Sequence, residues 1–309
     1  MKRIEKKRTD DYSMLRDKLK TKDLPKCYIY DLDTDHKNLT LTLSEKGLRA
    51  NMQDNESAFE SWALVLRFYL KDIIETVTID WDDSSINNEE NLHFNRFVYR
   101  LTRFVQSYDW VLSKKAIPQM PSILVCNCPN GEAANASKHI KWSEGWIECE
   151  YVEKYKKEYE VMNHQLPVGI FHDKVSRTTH YTTGQKSAID IWSIKAGELS
   201  IFELKKPKNN VLGIISELMF YTNIIHDIMS HRIQFQKDAK MQKAINKNYR
   251  GFRDFYDAYQ NGTIKKINAV LLAKSFHSLI KPELLEFINE SARFKYCRIS
   301  FSERGLLIT

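Results

Sequence analysis

Residues 187–205 read SAIDIWSIKAGELSIFELK. Apolar and β-branched residues fill Ser187–Ile194 and Leu199–Leu204, and a short turn at Lys195–Gly197 joins them. This layout predicts a β-hairpin. Side chains alternate faces along a strand, so Ile201, Glu203 and Lys205 share one face while Phe202 and Leu204 occupy the other. Hairpin pairing brings Asp190, set among Ile189, Ile191 and Trp192, towards Glu203.

A Glu-x-Lys triplet alone carries no information, since Glu5-Lys6-Lys7 is another in the same chain. The setting of the second triplet does. Opposite charges on a rigid element with apolar neighbours call for a metal, a salt bridge or a substrate. Two converging carboxylates suit a hard divalent cation, whose shell is completed by a backbone carbonyl and water. Such a cation polarises a phosphate and supplies a more acidic water, and a neighbouring lysine orients that water or stabilises developing charge. These are the parts of phosphodiester hydrolysis. The alternative is a structural ion pair of Lys205 with Asp190 or Glu203.

Asp190, a hairpin spacer and then Glu203-Leu204-Lys205 resemble the signature of the PD-(D/E)xK, or restriction-endonuclease-like, nuclease superfamily. The resemblance covers roughly residues 150–309. It implies a mixed central sheet flanked by helices, Asp190 and Glu203 as metal ligands with the Leu204 carbonyl as a third, Lys205 as the catalytic lysine, and Mg²⁺ or Mn²⁺ as cofactor. Ile189 stands where the signature has proline, which leaves the subfamily open. Many families of the superfamily also carry an acidic residue on the helix before the first core strand. Glu150 and Glu153 are the candidates here, and solvated helix positions explain them equally well.

After Pro207 and Asn209-Asn210, helical spacing predicts a long helix over Val211–Met229. Glu217 and Tyr221 lie one turn apart on it, similar to the Gln-x-x-x-Tyr element of nuclease domains in bacterial recombinational-repair enzymes. That likeness implies a catalytic role for Glu217 and nucleic-acid contact for Tyr221. A structural pair of Glu217 with Lys205 or Lys206 is the alternative. Further on, Arg232, Lys237, Lys240, Lys243, Lys247, Arg250 and Arg253 are interleaved with Tyr249, Phe252, Phe255, Tyr256 and Tyr259, and Lys240, Lys243 and Lys247 share a helical face. With Lys206 they form an expected phosphate-binding set, the rings either stacking on bases or forming an aromatic core beneath a solvated helix. Ile267–Ala273, Pro282–Ser291 and Tyr296–Phe301 predict a closing strand, helix and strand.

Upstream, strands are predicted at Cys27–Asp33, Leu39–Leu43, Thr76–Trp81, Ser122–Cys128 and Leu166–Phe171. Helices are predicted at Glu56–Ile74, Phe94–Leu112 and Glu150–Asn163, with loops at Asp82–Asn91 and Pro129–Lys138. The fold class is therefore α/β. An N-terminal mixed α/β region over 1–140 precedes a nuclease domain over 141–309. The first region has no Gly-x-x-x-x-Gly-Lys-Ser/Thr sequence, which argues against a nucleotide-hydrolysing P-loop.

Forty-seven Lys and Arg against forty Asp and Glu give a net charge of +7, which favours a polyanionic partner. Five scattered cysteines suit reduced thiols in a cytosol rather than a disulfide framework or a zinc site. No apolar run reaches the ~18 residues of a membrane span, and none follows the basic start as in a secretory signal. The expected protein is thus a cytoplasmic, metal-dependent nuclease acting on DNA, with RNA as the other substrate, in defence against or restriction of foreign DNA. A homodimer or a regulatory partner is expected to engage the N-terminal region, whose own role carries no motif; a third option makes it a sensor that licenses cleavage. The rival expectation is an inactive nucleic-acid-binding or scaffold protein that keeps the fold.

Overall fold

In the computed structural model, which describes residues 2–82, 92–183, 187–293, 297–302 and 305–306, and only the backbone for 2–8, the predicted hairpin forms over residues 188–205. Its two-residue loop, Ala196 and Gly197, has φ of 51° and 77°. Positive φ at both central residues is what the tight hairpin turn with strand-matching twist requires, and glycine takes it without strain. The turn is one residue shorter than the Lys195–Gly197 expectation because Lys195 pairs with Glu198.

The chain forms two compact units. The first comprises Met1–Met120, Val211–Glu217 and His277–Lys295, the second Pro121–Asn210, Leu218–Phe276 and Tyr296–Thr309. Both are mixed α/β. Among the described residues no helix is long and apolar enough to cross a membrane.

The first unit opens with α1 (Lys2–Leu19), β1 (Ile29–Asp33), β2 (Asn38–Leu43), α2 (Glu45–Arg49), α3 (Phe59–Tyr69), β3 (Thr76–Trp81), α4 (Leu92–Ser107) and β4 (Val111–Ser113). The strands form one sheet in sequence order, antiparallel between β1 and β2 and parallel thereafter. Leu39, Leu41 and Leu43 alternate into its core. The helix predicted over Phe94–Leu112 ends at Ser107, and Val111–Ser113 pairs with β3 instead. Trp110 and Val111 continue the apolar rhythm, so the sequence conceals a break that strand pairing imposes. The loop expected at Asp82–Asn91 lies outside the described residues apart from Asp82.

The second unit contains β5 (Leu124–Cys126), α5 (Glu144–Tyr155), β6 (Val161–Pro167), β7 (Ile170–His172), β8 (Ala188–Lys195), β9 (Glu198–Lys205), α6 (Ile214–Met229, its first turn in the first unit), β10 (Ile233–Phe235), α7 (Ala239–Lys247), α8 (Phe252–Gln260) and β11 (Lys266–Ala273). α9 (Pro282–Ser291) belongs to the first unit, and β12 (Cys297–Phe301) completes the second. A five-stranded mixed sheet runs β12-β11-β9-β8-β6, with β11 parallel to β9 and β12 and the β9-β8-β6 meander antiparallel. A smaller sheet runs β10-β5-β7.

The helix expected over Glu150–Asn163 starts earlier, at the Ser143 cap, whose Oγ accepts the Trp146 N–H at 3.3 Å. It stops at Tyr155, and Val161–Pro167 is a strand because β8 supplies its partners. The single strand expected at Leu166–Phe171 is split between β6 and β7. Ile147, Tyr151, Val152 and Tyr155 of α5 pack against Ile191, Phe202, Leu204, Val270 and Leu272, so α5 covers one face of the sheet. Trp192, on the other face, meets Phe255 of α8 edge to face, with ring centroids 5.7 Å apart.

Candidate active site

Period-two alternation directs Phe202 and Leu204 towards α5 and leaves Ile201, Glu203 and Lys205 on the opposite face. The β8–β9 register pairs Ile191 with Phe202. One step further sets Asp190 across from Glu203, the two side chains on the same face. The Leu204 backbone N–H donates to Asp190 Oδ2 at 2.9 Å, fixing that carboxylate beside the triplet. On the other flank, β11 places Leu271 beside Glu203 and Ala273 beside Lys205.

Glu203 and Lys205 are only 2% and 4% exposed, and Lys205 Nζ lies 2.5 Å from Glu203 Oε1. Asp190 is half-buried. The ion pair admitted by the sequence is therefore present, between Lys205 and Glu203. A carboxylate offers roughly four lone-pair sites, so neither of these bonds by itself saturates its acceptor.

Gln165 completes the Asp190 side. His164 pairs with Ile191 and Leu166 with Ile189, so Gln165 stands across the ladder from Asp190. Its φ of 58° is the left-handed conformation that a side chain disfavours. Gln165 Nε2 donates to Glu148 Oε2 of α5 at 2.7 Å, on the far face of the sheet from Asp190. The Gln165 carbonyl accepts from Arg250 Nη1 at 2.7 Å, and Arg250 Nε donates to the Gly131 carbonyl at 3.1 Å. Burial lowers the Arg250 pKa from its ordinary value, with Glu132 opposing the shift. Glu148, Gln165 and this anchoring role of Arg250 carry no motif in the sequence.

Of the acidic residues on the preceding helix, Glu153 is exposed and paired with Lys156 at 2.6 Å, and Glu150 is half-buried. Glu144, which no motif marks, accepts the Lys206 backbone N–H at 3.4 Å, next to the triplet. The Lys206 side chain is exposed. Glu217 and Tyr221 lie one turn apart on α6, and both are buried. Lys240, Lys243 and Lys247 are all exposed on α7, while Met241 and Ala244 are buried on its other side. The rings beyond them form an aromatic core: Phe252 and Phe255 are fully buried, and Phe235 packs against both.

All five cysteines are free thiols. Burial pushes Cys128 and Cys149 up to about 11 and Cys297 to about 12, and raises Cys27 and Cys126 as well. Thiols so shifted are poor nucleophiles at neutral pH. Among the described residues, no three His, Cys, Asp or Glu side chains are grouped to hold a metal ion. A cation at this site would rest on the Asp190 and Glu203 carboxylates and take the remainder of its shell from carbonyl and water. That donor chemistry fits Mg²⁺ or Mn²⁺ and does not fit a closed zinc site. Compared with models of known families, with curated proteins and with solved structures, the chain matches none.

Proposed function

We propose that the chain is a metal-dependent nuclease of the PD-(D/E)xK type, hydrolysing phosphodiester bonds of nucleic acid, DNA foremost. Its second unit would be the restriction-endonuclease-like domain. The reading rests on one observation above all: Asp190, one residue beyond the Ile191–Phe202 pair, accepts the Leu204 N–H and so lies beside the Glu203-Leu204-Lys205 triplet near the centre of a mixed sheet.

Asp190 and Glu203, with the Leu204 carbonyl, would hold Mg²⁺ or Mn²⁺, which supplies charge neutralisation at the phosphate and a more acidic water. Lys205, fixed by its pair with Glu203, adds positive charge where the transition state gains negative charge. The α5 face, packed through Phe202 and Leu204, keeps β9 rigid and so holds the carboxylates in place. The exposed ammonium groups of Lys206, Lys240, Lys243 and Lys247 offer sequence-independent contacts to phosphates.

The burial and close pairing of Glu203 and Lys205 favour a second reading, a nucleic-acid-binding protein that keeps this pair for structure alone. Purified protein incubated with Mg²⁺ or Mn²⁺ on single- and double-stranded DNA and RNA separates the two. Cleavage that chelation abolishes is expected. Binding without cleavage on every substrate would establish the second reading instead.

A further inference from the structure

Between the loop at 129–138 and α5 the chain reads His139-Ile140-Lys141-Trp142. Ile140 is 84% exposed and Trp142 49%, an unusual display of apolar surface for two residues so close together. The Ser143 N–H donates to the Ile140 carbonyl at 2.9 Å, closing a four-residue turn in which Trp142 is the third residue with φ of 69°. Turns with positive φ at that position favour glycine or asparagine. An indole there is backbone strain, and strain of this kind concentrates at functional sites.

The support beneath the ring is firm. Ser143 caps α5, and Trp146 of its first turn lies 4.9 Å from the Trp142 ring. A Cβ on Gly145 would come within 2.6 Å of the His139 ring, so the imidazole rests directly on the helix. The charged residues around the turn are lysines in excess over one carboxylate, Glu144. Lys141 Nζ lies 5.8 Å from the Trp142 centroid, and the side chains of Lys138, Lys141 and Lys206 are exposed. Glu144, two residues beyond Trp142, accepts the backbone N–H of Lys206, which joins this turn to the end of the Glu203-Leu204-Lys205 strand.

An exposed aromatic ring flanked by ammonium groups suits an unpaired nucleobase on a polyanionic strand. Duplex bases are already stacked on each other and offer no free face. We infer that Trp142 is a base-stacking residue that gives this protein a preference for single-stranded nucleic acid, with Lys141 and Lys206 on the adjoining phosphates. The inference rests on the nuclease reading for the choice of partner, and its test does not depend on cleavage.

The full-length protein is titrated, with chelator present, against labelled single-stranded and duplex oligonucleotides of about 16 nucleotides, following anisotropy and tryptophan fluorescence. Single strands are expected to bind more tightly than duplex and to quench the fluorescence. Trp142→Ala should weaken single-strand binding about tenfold or more, and Trp142→Phe should retain most of it. Trp142→Gly should lose binding while melting no lower than Trp142→Ala, because glycine accepts the turn. Single-strand affinity unchanged in Trp142→Ala would overturn the inference. So would a loss of self-association in that variant, seen by sedimentation, with oligonucleotide affinity intact. Chelator-sensitive cleavage with an inert Trp142 would leave the nuclease reading standing and remove only the stacking site. Trp142-dependent binding with no cleavage under any condition would do the reverse.

Discussion

Asp190 accepts, through Oδ2, the backbone N–H of Leu204 at 2.9 Å, so its carboxylate is tied to the residue between Glu203 and Lys205 as well as to its own strand. Asparagine keeps an oxygen that can accept this bond but loses the charge. Asp190→Asn is expected to stay within about 1 kcal/mol of wild-type stability while cleavage falls roughly 100-fold or more. Asp190→Ala should lose about 1 kcal/mol further by leaving the N–H unsatisfied. Urea denaturation alongside a cleavage assay measures both, and equal stability of the Asn and Ala variants would show that the bond does not matter.

Gln165 combines strained backbone with a bond to buried Glu148. Removing the amide should cost about 2 kcal/mol, because the acceptor is charged and buried. Glycine relieves the left-handed strain that alanine keeps, a difference of up to about 1 kcal/mol. The expected order of stability is therefore wild type, then Gln165→Gly, then Gln165→Ala. An alanine variant more stable than the glycine variant would contradict the strain.

In the first unit Arg100 and Glu60 form a buried pair, with Arg100 Nε 2.8 Å from Glu60 Oε1 and further bonds from the guanidinium to Ser57. Removing either partner leaves a buried charge unpaired, at about 3–5 kcal/mol. Replacing both, as in Glu60→Leu with Arg100→Met, should recover much of that loss. A double-mutant cycle read by urea unfolding checks it, and additive losses would mean that the two groups are not coupled.

Glu198 accepts from Lys266 Nζ at 2.9 Å and from Asn268 Nδ2 at 2.8 Å, and these bonds hold its carboxyl below the ordinary 4.5. A carboxyl depressed in the folded state stabilises the fold above its unfolded pKa, and that contribution disappears as pH falls through the lower folded value. Glu198→Gln should thus melt slightly below wild type at neutral pH, the gap closing as pH falls below the ordinary 4.5 and through the depressed folded value. A gap that persists undiminished in acid would point to a cause other than this charge.

Local pattern made some of the molecule legible. The alternation and short turn of residues 187–205 disclosed β8 and β9, and Pro282 ahead of an apolar period marked both ends of α9. The juxtaposition of Asp190 and Glu203 followed from the same period of two. What remained hidden depends on contacts between distant segments. β4 and the first half of β6 are strands because β3 and β8 pair with them, although Val111, Leu112 and residues 161–163 prolong a helical rhythm. The first unit gathers Val211–Glu217 and His277–Lys295 from far along the chain, a grouping that no local signal records. Arg250 reaches the carbonyl of Gln165 across 85 positions and Lys206 the carboxylate of Glu144 across 62. The conformation of Trp142 is equally silent in sequence, since nothing about tryptophan forecasts positive φ.

The most direct test of the nuclease reading is the initial rate of cleavage by wild type and by Glu203→Gln, each with Mn²⁺ on the same DNA and RNA substrates. The wild type should cut, and the variant, with an unaltered circular dichroism spectrum, should be slower by roughly 100-fold or more. A folded Glu203→Gln variant that cleaves as fast as wild type, or a wild type inert on every substrate, would show that the chemistry does not reside at this site.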